Sequence, residues 1–199
     1  MKIAKRRHPD RARAELLDGA TILFARLGFE RTSLAAVGER AGVSRGLPAY
    51  FFSDKDNLYR AVIQRATERV RQLVLATVQS QPGDASAEEV LASIVNAYID
   101  FLAANPDAVR LLQWESLNAI RMRQPGPAVL FDEAVVLIKK ALRRSGYSAV
   151  DGRLLLLSLV GMCFFPFGFA KQARRNRAFL AAYKKHVLRL VLNGIRGTR

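Results

Sequence analysis

A chain of 199 residues that is 50% hydrophobic and 25% charged can bury the core of one domain or of two small ones, which excludes a disordered or low-complexity polypeptide. Its formal net charge of +15 and pI of about 10.9 point to a polyanionic partner, because basic side chains that neutralise phosphates release condensed counterions. The single cysteine, Cys163, rules out an internal disulfide, and no secretory leader pattern follows the basic residues 1–15, so the expected compartment is the cytoplasm.

The charge does not locate a site by itself, since residues 1–65 carry a net +6 and the remainder +9. The first eight residues, MKIAKRRH, are too polar to pack; they read as an unstructured terminus that can lie along the DNA minor groove with Lys5, Arg6 and Arg7. From Arg11, the apolar positions Leu16, Ala20, Leu23 and Leu27 recur at helical spacing, with Leu17 and Phe24 beside them, until Gly28 ends the helix.

The stretch from Thr32 to Leu58 organises the rest. Leu34, Ala35, Ala36, Val37 and Ala41 predict a helix of two turns, opened by Thr32 or Ser33 and stopped by Gly42. Ser44 is placed to cap a second short helix through Tyr50 and Phe51. Small helix, tight turn, capped helix is the helix-turn-helix pattern, in which the second helix enters the major groove, although the same spacing fits an αα-hairpin in a helical core. Arg45 is expected at the first helical position, within reach of base edges, and Tyr50 and Lys55 where a hydroxyl and an ammonium meet phosphates.

Ala41-Gly42-Val43-Ser44-Arg45-Gly46, then Tyr50, Phe52, Lys55 and Leu58, together with Gly28-Phe29 upstream, resemble the TetR family of transcriptional repressors, whose pattern runs at these spacings. The resemblance covers roughly residues 11–65. It departs at Leu47-Pro48-Ala49, where the family usually has Thr-Leu-Tyr, and at Phe51, where it commonly has His; this bears on which bases are read. It implies an all-α fold of about nine helices: an N-terminal domain (1–54) of arm and three helices with a helix-turn-helix, and a C-terminal domain (55–199) for effector binding and dimerisation. The expected DNA-binding residues are Thr32, Ser33, Ser44, Arg45, Gly46, Leu47, Ala49, Tyr50, Phe51, Lys55 and the arm. The implied function is a repressor that binds a palindromic operator as a homodimer and is released by a small molecule; the alternative is a non-inducible or architectural DNA-binding protein.

Past Lys55 the helical pattern runs through Leu58, Val62, Ala66, Val70 and Leu73 to Gln81-Pro82-Gly83-Asp84, about 25 residues or 38 Å. Ser86 and Glu89 form a capping-box pattern before the next helix, and Asn105-Pro106 stops that one and starts another, expected to reach about Arg123. Gln124-Pro125-Gly126-Pro127 breaks it, and a helix from Ala128 to about Ser145 follows, ended by Gly146. The run from Leu154 to Ala170 is the most apolar, but Gly161, Pro166 and Gly168 lie within it, so a buried helix is expected in place of a membrane span. The last helix is expected over about Arg177 to Ile195.

Tyr98, Phe101, Trp114 and Phe165 are the candidate walls of an effector cavity, with Glu115, Asn118 and Met162 conferring specificity. Leu157, Gly161, Phe164, Tyr183, Val187 and Leu190 are the candidate dimer contacts, from a helix pair too apolar for a single domain face. His8 and His186 have no acidic or cysteine neighbours at metal spacing, and no glycine-rich loop follows a strand; neither a cofactor, a metal nor an enzymatic site is expected.

Overall fold

The protein is described by a computed structural model over residues 9–118, 132–169 and 176–197. Among these residues there are nine α-helices and no strand: α1 (Pro9–Leu27), α2 (Leu34–Arg40), α3 (Leu47–Phe52), α4 (Lys55–Gln79), α5 (Ala87–Ala104), α6 (Pro106–Asn118), α7 (Asp132–Arg144), α8 (Gly152–Phe169) and α9 (Arg177–Arg196). None of the described helices is long and apolar enough to cross a membrane. The basic arm, the break at Gln124 to Pro127 and the expected helix start at Ala128 lie outside the described residues.

The chain divides into two compact units, Met1–Ala66 with Arg110–Ala119, and Thr67–Val109 with Ile120–Arg199. The units therefore divide within α4, after Ala66, where 54/55 was the expected boundary, and part of α6 joins the first unit. The physical reason is that Leu58, Tyr59, Val62 and Ile63 of α4 are buried there. The Tyr59 ring packs edge-on against Phe24 at 4.9 Å and Phe29 at 5.2 Å.

In the first unit, Leu16, Leu17, Ala20 and Phe24 of α1 form the buried stripe. Helix α1 ends at Gly28, whose φ of +77° favours glycine. Ser33 caps α2 by accepting from the Ala36 N–H at 3.2 Å, and Gly42, at φ +65°, turns the chain. The turn is tight because of Gly38. A Cβ there would lie 3.0 Å from the Ser44 carbonyl oxygen and 3.3 Å from both Arg45 Cα and Pro48 Cγ.

The second unit is built around α5, whose Val90, Leu91, Ile94, Val95, Tyr98, Ile99 and Leu102 are buried among α7, α8 and α9. The Ser86–Glu89 capping box forms as expected. Asn105 ends one helix and starts the next as expected: its side-chain N–H donates to the Phe101 carbonyl at 2.7 Å, closing α5, and its own carbonyl accepts the first bond of α6 from the Val109 N–H. Cys163 is buried, and burial pushes its thiol up to about 12, so it is an inert packing residue.

Pro166 lies inside α8. A residue with an N–H at that position would donate to the Met162 carbonyl four residues back; proline leaves that acceptor bare. The Tyr183 hydroxyl of α9 donates to this same carbonyl at 2.7 Å. Tyr183 thus repairs a defect that Pro166 creates.

Two stability predictions follow from these contacts. Gly38→Ala should destabilise the first unit by about 1–3 kcal/mol, since its neighbours at 3.0–3.3 Å are mostly backbone; an unchanged midpoint in denaturant melts would contradict this. Tyr183→Phe should cost about 1–2 kcal/mol by leaving the Met162 carbonyl unpaired, and Pro166→Ala in the same chain should recover most of it. Purely additive midpoint shifts in the double variant would show that the two residues are not coupled.

Candidate nucleic-acid interface

Helix α3 is amphipathic over only six residues. Pro48 and Phe52, four apart, point inward and are buried, while Gly46, Ala49 and Ser53 are exposed and Tyr50 is 81% exposed. Leu47 and Phe51 are half-buried at the edges of that face, the Phe51 ring meeting Tyr50 edge-on at 5.4 Å. Arg13 of α1 sits over the Phe52 ring at 5.2 Å, a second cation near this surface that periodicity did not single out. Gly38 was also missed, though a glycine inside a seven-residue helix is a sign of close backbone approach.

The expected cap at Ser44 is corrected. The N-cap of α3 is Gly46, with no side-chain cap bond, and the Ser44 carbonyl accepts from the Leu47 N–H at 3.0 Å. A helix begun at Ser44 would need an N–H from residue 48 to that carbonyl, and Pro48 has none. Consequently Arg45 lies not at the first helical position but in the exposed turn ahead of the N-cap, beside exposed Ser44.

Thr32 and Lys55 also differ from expectation. Thr32 is 2% exposed and its hydroxyl donates to the Gly28 carbonyl at 2.8 Å, so it closes α1 and offers nothing to an outside partner. The Lys55 ammonium donates to the Phe29 carbonyl at 3.1 Å and the Glu30 carbonyl at 3.4 Å, and lies 4.3 Å from the Phe29 ring centroid. These loop carbonyls and the ring hold the cation, which straps the start of α4 to the end of α1. Ser33 is exposed but its oxygen is engaged as the α2 cap. Lys5, Arg6 and Arg7 lie outside the described residues.

Elsewhere in the first unit, an open groove between α1 and α2, about 650 Å³ in volume, is lined by Glu15, Asp18, Glu39 and Arg40 among others. Its predominantly acidic rim would repel phosphates.

The expected effector residues do not gather into one place. Trp114 and Glu115 belong to the first unit, where Trp114 flanks Gly28 and Glu115 lies by Tyr59. Burial, and then the Glu115 charge, hold the Tyr59 phenol well above its usual range. The Tyr59 hydroxyl and Glu115 Oε2 are both buried and close to one another, with no well-aligned hydrogen bond to either among the described residues. Tyr98, Phe101 and Met162 share the core of the second unit. The Asn118 side chain lies outside the description.

The dimer candidates separate in a similar way. Leu157 is 53% and Leu190 50% exposed, and a Cβ at exposed Gly161 would meet nothing within 4 Å. Val187 is corrected: at 1% exposure it is core. Phe164 and Tyr183 are half-buried against that core, whereas Phe165, expected in the cavity, is 63% exposed. It lies four residues beyond Gly161, on the outer face with Leu154 and Leu157.

With this geometry in place, similarity to known proteins becomes informative. Residues 16–62, from α1 into α4, match the domain described as bacterial regulatory proteins, tetR family. The chain is similar to the HTH-type transcriptional regulator BetI of Klebsiella pneumoniae (strain 342), 30% identical over 113 residues, 57% of this chain and 56% of that protein, so the match spans little more than half the relative's length. Its fold is shared with a TetR-like transcriptional regulator from Rhodococcus sp. RHA1, at 22% identity and TM-score 0.70 over 97% of this chain and 100% of that one. It is shared too with FadR from Bacillus subtilis in complex with stearoyl-CoA, at 17% identity and TM-score 0.67 over 91% and 98%. Residues 16–62 thus match an N-terminal DNA-binding domain of the tetR family, and the chain as a whole shares its fold with TetR-like regulators.

Proposed function

We propose that the protein is a cytoplasmic transcriptional repressor that binds a palindromic duplex DNA operator as a homodimer and is released by a small-molecule effector. The observation that carries this reading is the exposed face of α3, with Arg45 and Tyr50 flanking small residues on a helix-turn-helix of the tetR family. Phosphate contact is assigned to Tyr50 and the basic arm, base contact to Arg45, and apolar contact to Leu47, Ala49 and Phe51.

Effector binding is assigned to the second unit, with Tyr98, Phe101 and Met162 as the retained contacts. The stearoyl-CoA complex of B. subtilis FadR, which shares the fold, supports a ligand-responsive role. Helices α4 and α6 each contribute residues to both units, a covalent continuity that supports communication between effector and DNA. For the dimer, Leu154, Leu157 and Gly161 of α8 with Leu190 of α9 supply an exposed apolar surface that can meet its own copy about a two-fold axis.

Arg45→Ala is expected to lose about 1–3 kcal/mol of operator binding and to relax sequence preference. Lys55→Ala should lower the unfolding midpoint, because the ammonium secures two loop carbonyls, and should weaken operator and random duplex alike. Fluorescence anisotropy on both duplexes checks this; equal losses from Arg45→Ala on both would remove its reading role. Gly161→Arg should sediment as a monomer, keep its helical far-UV spectrum because the site has room within the protomer, and lose palindromic binding. A dimer retained in that variant would move the interface elsewhere.

A further inference from the structure

The face that α3 turns outward has an unusual chemistry for a sequence reader. Its exposed and half-exposed side chains are Leu47, Ala49, Tyr50, Phe51 and, just beyond, Ser53; Gly46 has no side chain. No amide, carboxylate or cation occurs between Gly46 and Phe52. Adenine and cytosine are normally read in the major groove by Asn, Gln, Glu or Asp, and guanine by Arg or Lys. The helix body offers none of these. What it offers is the Ala49 methyl and the Leu47 isobutyl group, and the major-groove feature that rewards such groups is the C5-methyl of thymine.

Hydrogen-bonding capacity is displaced to the ends. Arg45 and Ser44 lie in the turn before α3, both with exposed side chains. Tyr50 is 81% exposed, its ring edge-on to Phe51, so its hydroxyl is open to a partner outside the helix. The burial of Pro48 and Phe52 fixes this division, because rotating α3 to bring another side chain outward would expose both.

We propose that this regulator reads its half-site through thymine methyl groups contacted by Ala49 and Leu47, next to a single guanine contacted by Arg45, so that the specificity of the helix body is apolar. This rests on the reading that α3 enters the major groove. It adds to it the class of base edge recognised and the residues that recognise it.

The test starts from the full-length protein and a random-sequence duplex pool, from which bound sequences are enriched. The leading duplex is resynthesised with each thymine in turn replaced by deoxyuridine, which removes only the methyl, and affinities are measured by anisotropy. The expected result is that at least one such replacement per half-site weakens binding about fourfold, the value of one buried methyl-sized group. In Ala49→Gly or Leu47→Ala, with far-UV spectra confirming the fold, the wild-type and deoxyuridine duplexes should then differ less than about 1.5-fold at the matching position. Enrichment of a defined site whose thymines all tolerate deoxyuridine would overturn the proposal while leaving DNA binding intact. Deoxyuridine losses that persist undiminished in both variants would overturn the assignment to Ala49 and Leu47. Failure to enrich any sequence would overturn the underlying reading of α3.

Discussion

The first unit depends on the clamp between the end of α1 and the start of α4. Helices α2 and α3 have seven and six residues, far below the length at which an isolated helix is stable in water. Their geometry must be imposed from outside. Phe24, Phe29 and Tyr59 pack as a mutually contacting aromatic trio, and Lys55 adds two hydrogen bonds and a cation–π contact to the same loop. Each such element contributes on the order of 1 kcal/mol, and together they hold the flanks between which the turn at Gly42 is placed.

In the second unit, α8 meets two different environments with one nearly uniform composition. Its inner residues Leu156, Leu159, Cys163 and Phe167 are buried, while Leu154, Leu157, Gly161 and Phe165 are exposed. A helix apolar on all sides has no amphipathic reason to choose one face, so the choice is made by its partners. One of those partners is Tyr183, whose hydroxyl can satisfy the carbonyl freed by Pro166 only when α8 presents that carbonyl to α9. A polar bond thereby sets the rotation of an apolar helix, and leaves an apolar outer stripe exposed.

Much of the fold was legible because its punctuation is local. Gly28, Gly42 and Gly146 all stand at positive φ at helix ends, and Ser33 and Ser86 are caps, as residue type and spacing alone imply. The interface was legible in outline but not in detail, for reasons that are tertiary. The sequence placed Ser44 as a cap because serine favours that role, but the N–H that Pro48 lacks moved the helix start by two residues. It assigned Lys55 to phosphate because a lysine beside a recognition helix usually has nothing closer, but the turn at Gly28 brings two carbonyls within its reach. Val187 and Phe165 differ from expectation because α8 and α9 have apolar residues on several faces, where periodicity carries little information.

The placement of Glu115 is the least expected outcome and has an energetic consequence. The C-terminal half of α6 joins the first unit through buried Leu111 and through Trp114 beside Gly28, both apolar contacts that favour docking. Beside them lie the buried Tyr59 hydroxyl and Glu115 Oε2, which face one another closely enough for the Glu115 carboxylate to raise the phenol's pKa. Desolvating such polar groups offsets part of what the buried apolar side chains return. The contact therefore mixes apolar packing with buried polar groups, in a unit whose two short helices borrow their stability from their neighbours. A change of about 1.4 kcal/mol at α6 corresponds to a tenfold change in the local equilibrium, enough to matter to a domain held together at its flanks.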